Sequence, residues 1–236
     1  PFIELFKSGI RPDVIYNHER VANHYQIPSI DLQQEINERM RDGEFDWNTF
    51  GGTHPKPLGH RLYAAAINHL FDKMWKQAPE SKQAHVLPQM LDPYSYSEGQ
   101  FIDIRKATLS GSWKYVESWK PSDNAGTRGG FVEVPMLEAT QGGDKLTLDF
   151  KGKAIGIFCV AGPKAGILEY SVDGAPMKSL DTHTAWSNGL YIPWVFMLET
   201  ELADTNHTLV LRIAKEANKE SGRTACQIRN FVVNGQ

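Results

Sequence analysis

Two hydrophobic periods divide the chain. Over residues 12–25, Val14, His18, Val21, Ala22 and Tyr25 recur at helical spacing, with Pro12 suited to a first turn. A second stripe, Leu32, Ile36 and Met40, predicts a helix from Leu32 to Arg41 that Gly43 closes. A third helix is predicted over about 58–76. Tyr63, Ile67, Leu70 and Met74 form its main stripe, and Leu58, Leu62 and Ala66 widen it into a core-facing surface. Residues 27–32 read as a short buried strand ended by Asp31. The order helix, strand, helix, loop, helix fits the end of a doubly wound α/β layer, and a lone strand there needs neighbours from other sequence.

From about Phe101 onward the period becomes two. Residues 131–134, 146–150, 155–160, 167–172, 209–213 and 228–233 are predicted strands, divided by Gly, Asp and Asn, and Asp173-Gly174 is a hairpin-type turn. Six such strands without a comparable helix predict an antiparallel β-sandwich of jelly-roll type. Between the two halves, residues 77–100 carry Pro88, Pro93 and Gly99. Leu87, Met90, Leu91, Tyr94 and Tyr96 make this connecting segment too apolar for a free linker, so it is expected to pack along a surface. The expected organisation is therefore α/β over 1–76, a connection over 77–100 and all-β over 101–236.

Candidate chemistry converges on Phe50-Gly-Gly-Thr-His-Pro-Lys-Pro-Leu-Gly-His60. Gly51 and Gly52 permit a positive φ or a close backbone approach, and Pro55 steers His54 away from the α region. His54 is thereby expected at a junction leading into the third helix. A histidine with the ordinary imidazole pKa of about 6.5 is suited to general-base work there, and equally to capping a helix or satisfying a loop.

With its His-Pro-x-x-x-Gly-His spacing and the Ala-rich amphipathic helix that follows, residues 50–70 resemble the last block of the SGNH (GDSL-type) serine hydrolases. His18-Glu-Arg-Val-Ala-Asn-His-Tyr-Gln-Ile-Pro-Ser-Ile-Asp-Leu32 resembles the helix and strand that precede that block, so the likeness covers about residues 9–76. The resemblance implies the C-terminal portion of a doubly wound α/β/α layer with His54 as catalytic base. It also implies ester hydrolysis, with acetyl groups on carbohydrate the favoured substrate, no cofactor, and a secreted or periplasmic location. Gly51 stands where the family usually has an aspartate that orients the imidazole. Asp46, Asp31 or a backbone carbonyl would then take that role. The family's Gly-Asp-Ser nucleophile turn and Gly-x-Asn-Asp oxyanion block are absent from this sequence, so an N-terminal segment or a second chain would have to complete the site.

Composition narrows the alternatives. The formal net charge of −3 and 22% charged residues, without a basic run, give no footprint for nucleic acid. No apolar run approaches the roughly 18 residues of a membrane span. A first residue of Pro in place of Met reads as processing or truncation. His18, Glu19 and His24 lack the four-residue histidine spacing of a zinc-peptidase helix, which favours a solvated face. His60 reads as a cap or loop contact and His85 as a surface residue. Cys159 and Cys226 lie in strand-like segments and read as small buried hydrophobes in preference to a disulfide.

A second candidate lies in the all-β half. Trp186-Ser-Asn-Gly-Leu-Tyr-Ile-Pro-Trp194 places Trp186, Tyr191 and Trp194 close together, with Trp113 and Trp119 adding aromatic surface. Flat rings can stack on sugar faces or simply pack a core. The sandwich resembles accessory domains beside carbohydrate-active enzymes, and on the stacking reading Trp186, Tyr191 and Trp194 are the expected substrate-binding residues. The sequon Asn206-His-Thr208 adds little. Two functions follow as expectations: the base-carrying part of a carbohydrate esterase, or a non-catalytic carbohydrate-binding or interaction module with a hydrolase remnant.

Overall fold

Helix starts in the first half are marked by side-chain caps in two helices and by prolines in two others. The computed structural model describes residues 4–5, 8–77 and 84–235, and the chain divides into the units Pro1–Pro93 and Tyr94–Gln236. In the first unit, α1 (Asp13–His24) starts behind Pro12. The second helix, α2 (Leu32–Arg41), starts where the Asp31 side chain accepts the Gln34 N–H at 2.9 Å. Gly43, at φ +82°, closes it with an N–H bond to the Met40 carbonyl. A one-turn helix, α3 (Trp47–Phe50), is capped by Asp46, which accepts the Thr49 N–H at 2.6 Å. The long helix α4 (Pro57–Lys76) begins with Pro at its first position.

Two expectations for this unit are corrected. Residues 27–31 run between α1 and α2 without a ladder partner among the described residues, so the predicted buried strand does not form and Ile27 is exposed. A strand in a parallel layer is buried by neighbours on both sides, and no other strand occurs among the described residues of this unit. The α4 stripe is likewise largely uncovered. Ile67 and Met74 are exposed, as are Phe71 and Trp75, while Tyr63 and Leu70 are half-buried. The only large apolar side chains of the unit that are fully buried among the described residues are Ile36 and Phe50.

The beginning of the connecting segment, residues 78–83, lies outside the described residues. Its later part ties back to α1. His85 Nε2 lies 3.0 Å from the Tyr25 carbonyl, His24 Nε2 lies 2.7 Å from the Gln89 carbonyl, and the Leu91 N–H donates to the Tyr25 hydroxyl.

The second unit is a two-sheet sandwich with antiparallel ladders throughout. Its strands are β1 (Gly99–Ile102), β2 (Thr108–Ser110), β3 (Lys114–Trp119), β4 (Val134–Ala139), β5 (Lys145–Gly152), β6 (Ala154–Ala161), β7 (Ile167–Val172), β8 (Lys178–Asp181), β9 (Ile192–Glu199), β10 (Thr205–Ile213) and β11 (Cys226–Asn234). One sheet runs β3-β4-β11-β6-β9, with β1 also on β11, and the other runs β2-β5-β10-β7-β8. Alternation decides which side chains meet between them. Leu146 and Leu148 of β5 and Leu209 and Leu211 of β10 pack with Ile155 and Ile157 of β6 and Phe231 of β11 in one core. Each such side chain contributes roughly 1.5–3 kcal/mol of burial.

Five of the six predicted strand runs fall within β5, β6, β7, β10 and β11, and the Asp173-Gly174 turn forms with both residues at positive φ. The run 131–134 is corrected: β4 begins only at Val134. Glu133 sits at φ +60° and sends its N–H to the Trp119 carbonyl at 2.7 Å, which breaks the alternation before the strand starts. Cys159 and Cys226 are free and buried, and desolvation pushes the Cys159 thiol up to about 12.

Candidate functional site

The loop carrying His54 is built from its glycines and its aromatic floor. Phe50, 1% exposed, stacks against Trp47 at 5.5 Å and meets the Tyr63 edge at 5.6 Å. Gly51 then turns the chain at φ +114°, and the Lys56 N–H closes the loop on the Phe50 carbonyl at 2.8 Å. A β-carbon at Gly51 would collide with the Lys56 backbone nitrogen and lie 2.7 Å from the His54 carbonyl oxygen. One at Gly59 would lie 2.8 Å from both the Phe50 ring and Pro55. The two glycines therefore let α4 seat directly on Phe50 and Pro55, and Lys56 Nζ adds a bond to the Asn48 carbonyl at 3.0 Å.

His54 is exposed at the crest of this loop. Among the described residues, no hydrogen bond or ion pair engages its ring. The two carboxylates considered as orienting groups are committed elsewhere. Asp31 caps α2 and pairs with Arg11 at 2.9 Å. Asp46 caps α3, and hydrogen bonds from Thr49 hold its carboxyl below the usual range. His60, exposed in the first turn of α4, gives its N–H to the Lys56 carbonyl at 3.1 Å.

The three aromatic residues of the sandwich separate. Trp186 is 65% exposed in the loop between β8 and β9, and Trp194, on β9, is 37% exposed with its ring 6.4 Å from that of Phe196. Tyr191 is buried at 2%. Its hydroxyl donates to Asp123 at 2.9 Å and burial pushes its phenol far up, so it braces the loop from beneath and offers no ring face to a ligand. Trp113 and Trp119, expected as aromatic surface, are buried, and the Trp119 indole N–H is satisfied by Glu138 at 2.9 Å. Asp123 was missed in the sequence. It also pairs with Lys164 at 3.1 Å, across a sequence separation that leaves no local signal.

No family model matches the chain, and no curated protein does. Solved structures do. Two crystal structures of a two-domain esterase (CEX) active on acetylated mannans, one of them co-crystallised with mannopentaose, align with 93% of the chain at a TM-score of 0.68. Sequence identity is 19% and 20%. The chain spans 58% of the length of these structures. At this identity the likeness is one of fold.

Proposed function

We propose that residues 1–76 are the C-terminal part of an SGNH-type serine esterase domain, joined through 77–100 to an accessory β-sandwich over 101–236, and that the whole removes acetyl groups from a carbohydrate. The observation that carries this reading is His54. It is an exposed imidazole on a loop fixed by Gly51, Pro55 and Gly59, with a ring that the described residues leave free for a reaction partner. The fold shared with an esterase active on acetylated mannans supports it. So does the uncovered apolar side of α4, which suits packing against the remainder of a doubly wound layer.

In this mechanism the serine comes from sequence outside this chain. His54 takes the serine proton as the oxygen attacks the acyl carbon, then gives it to the departing sugar hydroxyl. Water next adds to the acyl-enzyme, His54 accepts its proton, and return of that proton to serine releases acetate. Oxyanion donors come from the same external segment. The chemistry calls for no metal or organic cofactor.

The test is acetate release from acetylated mannan by the longer protein that carries a serine-turn segment, measured beside the 236-residue chain alone. Release by the longer form only, abolished by a serine-directed inhibitor, is expected. Release by the short chain alone, or none by either, overturns the reading. A second reading, a non-catalytic carbohydrate-binding module, draws on the exposure of Trp186. It predicts saccharide binding without hydrolysis in either form.

A further inference from the structure

Trp186 stands on a turn closed by hydrogen bonds between Thr184 and Ser187. The Thr184 N–H donates to Ser187 Oγ at 3.0 Å, the Ser187 N–H returns to the Thr184 carbonyl at 2.9 Å, and the Trp186 N–H reaches Thr184 Oγ1 at 3.3 Å. Ser187 is fully buried beneath a tryptophan that is mostly exposed. Such a turn fixes the backbone that presents a large, mostly exposed apolar ring to water.

Three contacts hold the base of the turn: Asp181 with Asn218, Thr182 with Gly166, and His183 Nδ1 at 3.4 Å from Glu220 Oε2. Asp181 Oδ1, at the end of β8, accepts both the His183 N–H at 2.8 Å and Asn218 Nδ2 at 2.6 Å. Asn218, 2% exposed, uses its own side-chain oxygen to accept the N–H groups of Glu220 and Ser221 at 2.8 and 3.0 Å. Thr182 closes the other flank by donating to the Gly166 carbonyl at 2.6 Å. A carboxylate–carboxamide contact between segments 37 residues apart in sequence thus helps to set the direction in which the chain leaves β8 toward Trp186.

We infer that Asp181 and Asn218 are positioning residues for Trp186, setting the orientation of its ring as a platform for a saccharide. The saccharide part of this inference rests on the carbohydrate reading above. The positioning part stands on the hydrogen bonds alone.

The experiment uses the whole chain and four variants. In N218D two carboxylates abut, and amide exchange at Thr184 and Ser187 is expected to quicken about tenfold as the turn opens locally. The double variant D181N/N218D restores a donor–acceptor pair between the two side chains but leaves the His183 N–H, which shares Asp181 Oδ1 in the parent, without that acceptor, so exchange is expected to recover in part, to between the single variant and the parent. With mannopentaose as probe, calorimetric affinity should fall about tenfold in N218D, recover in part in the double variant and be lost in W186A, each measured below the variant's own melting temperature, which the part-buried like-charge pair lowers in N218D. Should N218D fail to fold, N218A removes the donor to Asp181, and with it the acceptor for Glu220 and Ser221, without adding a charge, and is expected to quicken exchange and weaken affinity in the same direction. Unchanged exchange in the single variant, or no recovery in the double, overturns the positioning role. Altered exchange with saccharide affinity indifferent to W186A overturns the platform and leaves the positioning intact.

Discussion

Asp173 Oδ2 lies 2.6 Å from Nδ1 of His207, while the other ring nitrogen of His207 lies 2.8 Å from the Ala203 carbonyl. Both nitrogens face acceptors, an arrangement that suits the doubly protonated ring. Burial opposes that charge, yet the Ala203 carbonyl and the Asp173 carboxylate outweigh it and the His207 pKa is raised. The hydrogen bond from His207 lowers that of Asp173. The pair clips the β7–β8 turn to β10, since Asp173 also accepts the Thr208 N–H at 2.8 Å.

The signs give a pH window. A raised histidine pKa contributes stability that is complete below the unfolded value of about 6.5 and fades as pH rises through the folded one. A lowered carboxylate pKa contributes above about 3.9 and fades as pH falls through its folded value. The clip should therefore be strongest between roughly pH 4 and 6.5. Thermal melts from pH 4 to 9 should show the parent losing more stability above neutrality than D173N, which keeps an acceptor but not the charge. Parallel curves for the two would contradict the clip.

Gly59 is a packing position. The Phe50 ring and Pro55 occupy the space a β-carbon would need, so Gly59→Ala should displace α4 from the His54 loop and destabilise the first unit by about 1–3 kcal/mol. Phe50→Ala should cost more, about 3–5 kcal/mol, by emptying the floor of the loop. Denaturant titration followed by a signal from the helices measures both.

The buried cysteines supply a third expectation. Cys159 and Cys226 sit in the sandwich core with thiols held protonated by desolvation, and the thiolate is the reactive form. A chromogenic disulfide reagent should find neither thiol in the native chain and both after denaturation. Fast native labelling at either position would mean that the core opens on the reagent's timescale.

What the sequence revealed followed from local or periodic signals. The period-two runs of β5 and β10 and the closure of α2 at Gly43 were readable because each acts within a few residues, whereas Asp31, expected to end a strand, caps α2. β9 was not, since Ile192-Pro-Trp-Val-Phe-Met-Leu lacks alternation, and its ring content suggested a binding segment. The short strands β1, β2 and β8 have too few residues to display a period. At the candidate sites, the glycine-proline framing of His54 was legible and the exposure of Trp186 was not. Burial of Trp113, Trp119 and Tyr191 depends on partners such as Glu138 and Asp123, whose proximity is a property of the folded sheet.

His54 as the base is tested by turnover of an acetyl ester by the longer, serine-containing protein with His54→Gln beside the parent. In the variant kcat is expected to fall by at least about a hundredfold, with KM little changed and the far-ultraviolet spectrum retained. Turnover within a few-fold of the parent would contradict it and assign the base elsewhere.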